Sequence, residues 1–140
     1  MTGNVAQVFV SDDDWSSTLD GIQAALRPGR LLIFESRDPD RQAWREWTRQ
    51  DSFRRVDLPG PGIVESWVDL LDVQPERVSF RWTFAFESDG AVLTSDSTLR
   101  FRSRAELTES LRHHGFTVLV VRDAPDRPGR ESAFIAARSD

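Results

Sequence analysis

Two polar positions in the first part of the chain are candidates for holding a ligand. Asn4 lies in an opening loop, and Arg37 ends the segment Glu35-Ser36-Arg37, directly after the apolar run Leu31 to Phe34. An unbroken apolar run of this kind is typical of a strand that is buried on both faces of a parallel sheet. Open sheets of that class bind ligands outside the carboxyl ends of their strands. Both positions are therefore candidate binding residues.

The chemistry of Arg37 leaves two interpretations open. A guanidinium at the end of a strand could hold a substrate carboxylate through two parallel hydrogen bonds. Alternatively, Arg37 could form a salt bridge with Asp38 or Asp40, which follow it in the sequence. The first interpretation predicts a small molecule that carries a carboxylate, and the second predicts a structural arginine.

Trp67 and Arg81 are further candidates, because either side chain could face a cavity above a predicted antiparallel sheet. Alternation of apolar and polar residues over 63–69, 78–86 and 91–101 indicates the strands of that sheet. One strand places only apolar residues on one face: Val78, Phe80, Trp82, Phe84 and Phe86. Strict alternation favours a core role for these aromatic residues over a surface that stacks on a ligand.

The sequence offers no catalytic constellation and no metal site. Cysteine and a Gly-x-Ser-x-Gly motif are absent, so no nucleophile has a recognisable context. His113 and His114 are adjacent, and on a helix they point roughly 100° apart, which does not suit one metal ion. Consecutive aspartates at 12–14 fit the positive end of a helix dipole better than a metal cluster. We therefore predict no catalytic side chain and no bound metal.

Composition limits the class of protein. The chain has 140 residues, which suits one compact domain, and it has 23 acidic against 18 basic residues. A net charge of −5 without a basic patch argues against nucleic-acid binding. The sequence contains no long apolar segment and no basic-then-apolar leader, so we expect no membrane partner and a cytoplasmic location.

The order of predicted elements divides this single domain, 1–140, into three parts. Residues 1–62 contain a helix capped by Ser11, the strand Leu31 to Phe34 and a shorter helix from Asp38-Pro39. Residues 63–101 form the antiparallel sheet. Residues 102–140 contain a helix that opens with the capping box Ser103 to Glu106, followed by two closing strands.

Three segments together resemble the C-terminal half of a class I S-adenosylmethionine-dependent methyltransferase. They are Gly3 to Phe9 before an acidic helix, Ile22 to Glu35 with its Leu-Arg-Pro-Gly motif, and Leu111 to Phe116 before a strand. The resemblance implies an α/β fold, α+β in isolation, in which a partial Rossmann-like sheet carries an antiparallel β insertion. It implies that the helix and strand before Glu35 are the fourth helix and fifth strand of that fold, and that the last two strands are its closing hairpin.

Among small-molecule methyltransferases the chain is most similar to the glycine N-methyltransferase type. In that type a Gly-Asn after the fourth strand borders the cofactor and the substrate, and an Arg after the fifth strand holds the substrate carboxylate. The resemblance therefore implies cofactor contacts at Gly3, Asn4 and Val5. It implies substrate contacts at Asn4 and Arg37.

The sequence departs from this family in one respect. A Gly-rich loop after the first strand and an acidic residue after the second normally hold the methionine part and the ribose of the cofactor, and neither occurs here. We therefore expect S-adenosylmethionine binding, and methyl transfer to a small molecule, only if an N-terminal half is supplied. The exposed edge of the Leu31 to Phe34 strand and the apolar hairpin face predict a homodimer or an N-terminal partner fragment.

Two other functions stay open. The chain could be a non-catalytic, dimeric binding or assembly domain derived from such an enzyme. It could also be an α+β domain that binds an apolar ligand in a pocket lined by Phe80, Trp82 and Phe84.

Overall fold

The computed structural model describes residues 1–125 and 127–140 of the chain. These residues form two compact units, one of residues 1–42 with 99–140 and one of residues 43–98. The three-part single domain proposed from the sequence stays a prediction. Within the described residues, none of the helices has the length and apolar character needed to cross a membrane.

The chain contains three α-helices and seven strands among its described residues. The helices are α1 (Asp12–Ala25), α2 (Arg49–Ser52) and α3 (Arg104–His113). The strands are β1 (Leu31–Arg37), β2 (Arg54–Leu58), β3 (Gly62–Val73), β4 (Arg77–Phe86), β5 (Val92–Arg100), β6 (Phe116–Asp123) and β7 (Glu131–Arg138). Short 3₁₀ turns are formed by Val5–Val8, Pro39–Arg41 and Ala43–Glu46.

Local signals set the starts of both long helices, as predicted. The Ser11 hydroxyl accepts a hydrogen bond from the backbone N–H of Asp14 at 3.0 Å, and the acidic first turn of α1 suits the helix dipole. In α3, Ser103 and Glu106 form a reciprocal capping box. These caps satisfy backbone donors that have no partner within the helix.

The first unit contains a three-stranded sheet in the order β1-β7-β6, with both pairings antiparallel. The prediction that β1 is buried on both faces of a parallel sheet was wrong. Leu32 and Phe34 are buried, whereas Leu31 and Ile33 are about half exposed. The strand that pairs with β1 is β7. The predicted closing hairpin of β6 and β7 is confirmed. An apolar run of four residues does not reveal which of its faces will be covered.

The core of the first unit lies on one face of this sheet. Phe34 stacks on Phe134 with ring centroids 5.0 Å apart, and Trp15 of α1 meets Phe34 edge-on at 5.7 Å. The indole N–H of Trp15 donates to the hydroxyl of Ser110 in α3 at 2.9 Å. Leu111 completes the contact between α3 and this cluster. The aromatic residues thereby join both helices to β1 and β7.

Arg102 fixes the segment that precedes α1 to the segment that precedes α3. Its side chain is buried and donates to the carbonyls of Phe9 and Ser11 at 2.9 and 3.1 Å and to the carboxylate of Asp12 at 3.0 Å. Burial lowers the pKa of Arg102, and the hydrogen bond and charge of Asp12 act in the opposite direction. The arginine stays ionised at neutral pH, because its ordinary pKa is so high.

The second unit is a four-stranded antiparallel sheet in the order β2-β3-β4-β5. β3, β4 and β5 confirm the three predicted strands, whereas β2 was not predicted. The prediction of a helix from Asp38-Pro39 was also wrong. Two 3₁₀ turns occur there, separated by Gln42 with a φ of 47°. This left-handed conformation interrupts a helix.

The core of the first unit allows a direct test. Phe34→Ala removes a fully buried ring that contacts Trp15 and Phe134, so we expect a loss of about 3–5 kcal/mol in the free energy of unfolding. Ile33→Ala on the same strand is the matched control, because half of this side chain is exposed. Urea unfolding followed by circular dichroism measures both. Equal losses for the two variants would contradict the assignment of faces.

A second test addresses Arg102. Arg102→Met keeps much of the apolar stem but removes three hydrogen bonds, so we expect destabilisation of about 2–4 kcal/mol. Arg112→Met is the control, because Arg112 is exposed and pairs with Glu109 within α3, which predicts a change below about 1 kcal/mol. The same urea experiment applies, and a loss for Arg102→Met no larger than the control would refute the tethering role.

Candidate functional site

Polar side chains gather on the face of the first sheet that is opposite the aromatic core. Glu35 and Arg37 point to this face at the carboxyl end of β1, because side chains alternate along a strand. The antiparallel register places Glu131 of β7 directly opposite Arg37. A guanidinium and a carboxylate from distant parts of the sequence therefore meet at one end of the sheet.

The opening loop adds Gly3 and Asn4 to this region. Both residues have positive φ angles, 66° and 59°, which glycine adopts freely and asparagine tolerates. The backbone N–H of Gly3 donates to the carboxylate of Glu35 at 3.3 Å. Asn4 precedes the Val5–Val8 turn and is buried, whereas Val5 is partly exposed. The loop thus places the three residues predicted to contact a cofactor near the carboxyl end of β1.

Gln7 and Glu131 are among the partners of Arg37. Its Nη1 donates to Oε1 of Gln7 at 3.0 Å, and its Nε lies 3.8 Å from Oε1 of Glu131. The Glu131 oxygen also accepts a hydrogen bond from Nη1 of Arg127 at 2.9 Å. Burial lowers the pKa of Arg37, the charge of Glu131 opposes this shift, and the charge of Arg127 adds to it. Glu131, the neighbour of Arg37 across the strands, is thus an ion partner of Arg37. Asp38 caps the following 3₁₀ turn.

Two buried polar atoms beside Arg37 have no hydrogen-bond partner among the described residues. They are Oδ1 of Asn4 and Nε2 of Gln7. Asn4 and Gln7 are 4% and 1% exposed. The backbone N–H of Gln7 donates to the carbonyl of Asn4 at 3.0 Å, so both side chains belong to one turn. Unpaired buried polar groups are rare in folded proteins and often mark a site whose partner is a ligand or water.

Of the residues in this cluster, the sequence predicted a site role for Asn4 and Arg37 but not for Gln7 or Glu131. The spacing of Gln7 three residues after Asn4 fits one turn of helix, which is a weak signal that the sequence did contain. Glu131 had no such signal, because only the register of β1 and β7 places it opposite Arg37.

The other two predicted substrate residues, Trp67 and Arg81, belong to the second unit. The indole N–H of Trp67 donates to the carboxylate of Asp69 at 2.9 Å, and Arg49 lies over its ring at 4.0 Å. Phe53 stacks near the same ring with centroids 6.4 Å apart. These contacts occupy much of the indole within this unit, and a role in substrate binding stays a prediction.

Arg81 forms a two-point ion pair with Asp96, at 2.6 and 2.7 Å. Hydrogen bonding to Asp96 raises the pKa of Arg81 and, in turn, lowers the pKa of Asp96. Asp69 is the register partner of Arg81 in the neighbouring strand. Trp67 and Arg81 therefore share a sheet face with Asp69 between them, and the exposed ion pair restricts the guanidinium.

An open cleft of about 600 Å³ lies in the first unit along α1 and α3. Asp12, Trp15, Arg102 and His113 are among its lining residues, and none of the predicted site residues lines it. His114 also borders the cleft and contacts the carbonyl of Ser110 through Nδ1 at 2.6 Å. Within the described part of the chain, no three His, Asp or Glu side chains are grouped in a way that could hold a metal ion.

Comparison with known proteins gives a clear result for structure and none for sequence. No protein-family profile and no curated protein matches the sequence. A S-adenosylmethionine-dependent methyltransferase from Clostridium acetobutylicum matches the structure with a TM-score of 0.73 at 12% identity, over 99% of this chain and 56% of that chain. The CcbJ methyltransferase from Streptomyces caelestis gives a TM-score of 0.70 at 15% identity, over 99% and 55% of the two chains.

A third similar structure is an amino pentose methyltransferase from Micromonospora echinaspora with bound S-adenosylmethionine. Its TM-score is 0.66 at 14% identity, over 99% of this chain and 57% of that chain. The chain thus spans little more than half the length of these enzymes, and the predicted fold class is confirmed. This chain has the fold of the C-terminal half of a class I S-adenosylmethionine-dependent methyltransferase.

Proposed function

We propose that the chain is the substrate-binding half of a methyltransferase and takes part in methyl transfer from S-adenosylmethionine to a small molecule. The observation that carries this proposal is the match of 99% of the chain to little more than half of a methyltransferase. The polar cluster at the carboxyl end of β1 supports it, because ligands bind at that end of the strands in open α/β sheets.

The residues near β1 fit the border of a cofactor site but do not supply the whole site. A side chain added at Gly3 would meet no atom within 4 Å, and its positive φ favours glycine. Asn4 offers a buried carboxamide oxygen without a partner among the described residues. We propose that Gly3, Asn4 and Val5 contact the cofactor and that an N-terminal half provides the missing Gly-rich loop and acidic residue.

Methyl transfer suits a site without acid or base residues. The sulfonium of the cofactor carries a methyl group that is already activated, so the protein mainly aligns the acceptor and excludes water. We propose that Asn4 and Arg37 border the acceptor, with Arg37 held by Gln7 and Glu131. Substrate contacts of Trp67 and Arg81 are a separate proposal, made for the second unit by itself.

The acceptor is proposed to be a small polar molecule. One similar structure is that of an enzyme described as an amino pentose methyltransferase, and it matches 99% of this chain. A sugar-sized acceptor that bears an amine would fit a site whose unpaired groups are an amide oxygen and an amide nitrogen.

We further propose that the N-terminal half is the partner of the outer face of the first sheet. Leu31 and Ile33 on β1 and Leu119 and Val120 on β6 are each between about 44% and 54% exposed. Among the described residues, β7 is the only strand that pairs with β1, and we propose that a further strand pairs with the other edge of β1. A strand added at this edge would pair with β1, and a helix that follows it would cover the exposed apolar side chains.

The same exposed side chains favour the second candidate, a non-catalytic homodimeric assembly domain. A second copy of the chain could cover Leu31 and Ile33 by pairing β1 with its symmetry mate. The two candidates differ in cofactor binding and in oligomeric state, so a single pair of measurements separates them.

The first measurement is calorimetry with S-adenosylmethionine. We expect no saturable heat with the 140-residue chain, and saturable binding when the chain is joined to the coding sequence found upstream in frame. Reading that DNA should reveal a Gly-rich loop after a strand. Saturable binding by the 140-residue chain alone would show that completion is unnecessary. A stable dimer by light scattering, with no Gly-rich segment upstream, would instead favour the assembly domain.

The second measurement addresses Asn4 in the completed enzyme. Asn4→Gly tolerates the positive φ and removes the whole side chain with its carboxamide, so we expect kcat/KM for methyl transfer to fall by roughly 10- to 100-fold. Arg112→Ala, on the exposed surface of α3, should leave kcat/KM unchanged within about twofold. An unchanged kcat/KM for Asn4→Gly would remove Asn4 from the acceptor site.

A further inference from the structure

Arg37 already has an ionised partner within the protein. Glu131 opposes it across the strands, and this carboxylate is only 4% exposed. The same carboxylate also pairs with Arg127, at 2.9 Å. A buried carboxylate that is paired in this way holds its cation strongly, because separating the pair leaves an uncompensated charge. A second carboxylate from a ligand would have to compete with Glu131 for Arg37.

Arg37 also fixes the orientation of the Gln7 carboxamide. A guanidinium can only donate hydrogen bonds, so the Gln7 atom 3.0 Å from Nη1 must be the oxygen. Nε2 is consequently the free end of the carboxamide, and it is a donor. This end is buried and has no partner among the described residues. Arg37, paired with Glu131, thus orients the neutral NH₂ group of Gln7, so the group left to bind a ligand is an uncharged donor.

Asn4 complements this donor with an acceptor. Its Oδ1 is buried and has no partner within the described chain. The backbone hydrogen bond from Gln7 to Asn4 keeps both carboxamides on one turn. A hydroxyl or an amine both donates and accepts hydrogen bonds, whereas a carboxylate only accepts. The unpaired groups of this turn therefore match a hydroxyl or an amine.

We propose that the site at the carboxyl end of β1 recognises a neutral hydroxyl or amine of its ligand, with Asn4 Oδ1 accepting and Gln7 Nε2 donating, while Arg37 and Glu131 act as positioning residues for Gln7. The inference rests on the proposed function, in which these residues border the methyl acceptor. It replaces the carboxylate expected from Arg37 alone, because Arg37 already forms an ion pair with Glu131.

The test uses two small probes of similar size, ethylene glycol and acetate, and the full chain labelled with ¹⁵N. The readout is the NMR signal of the Gln7 side-chain NH₂ group, identified by its loss in Gln7→Glu. In the wild type we expect ethylene glycol to shift this signal saturably and acetate to have no effect beyond that of chloride at equal ionic strength. In Glu131→Gln, acetate should bind at least roughly tenfold more tightly than in the wild type.

Glu109→Gln is the matched control, because it removes an exposed carboxylate that pairs with Arg112, and it should behave like the wild type. Three results would each overturn the proposal: saturable binding of acetate to the wild type at Gln7, no saturable shift with ethylene glycol, or no gain of acetate binding in Glu131→Gln. If Glu131→Gln does not fold, Arg37→Gln serves instead.

Arg37→Gln should weaken the response to ethylene glycol at least roughly threefold, because Gln7 loses its anchor, and leave acetate without effect. A response to ethylene glycol equal to that of the wild type would overturn the positioning role. None of these experiments contains S-adenosylmethionine. These experiments therefore test the preference for a neutral group independently of cofactor binding. Either of the two proposals can be refuted while the other holds.

Discussion

The antiparallel register of β1 and β7 is the constraint on which the first unit depends. It places Phe34 opposite Phe134 on one face and Arg37 opposite Glu131 on the other. The first pair forms the stacked centre of the core, and the second pair holds the candidate site. Because side chains alternate along a strand, a shift of one residue would send Arg37 into the core and Phe34 to the outer face. Stability and the site are thus set by the same pairing.

Features with short-range signals could be predicted from the sequence. The cap of α1 at Ser11 and the capping box of α3 at Ser103 are formed by residues within one turn of each other, so the pattern alone identifies them. Three strands of the second unit, β3, β4 and β5, were likewise predictable from their alternation. The interruption at Gln42 was not visible, because a left-handed glutamine is unusual and no glycine marks the break.

The long-range contacts of the candidate site could not be predicted from the sequence. Arg37 was found from its position after an apolar run, but its nearest acidic neighbours in the sequence suggested a different ion partner. The partner on the sheet, Glu131, is 94 residues away and is brought close only by the strand pairing. The prediction that both faces of β1 are buried was also wrong. The helices α1 and α3 cover the face with Leu32 and Phe34 and leave the other face partly exposed. Leu31 and Ile33, on that other face, are therefore about half exposed.

The ion pair of Arg37 with Glu131 also bears on the proposed chemistry. S-adenosylmethionine carries a positive sulfonium, and an unpaired guanidinium nearby would raise the energy of that cation, most strongly where water is excluded. Glu131 reduces this repulsion and keeps Arg37 in place as a donor to Gln7. An acceptor that approaches as a neutral amine or hydroxyl then meets a neutral turn, so its alignment does not depend on separating buried charges. A paired arginine is therefore more compatible with methyl transfer at this position than a free one would be.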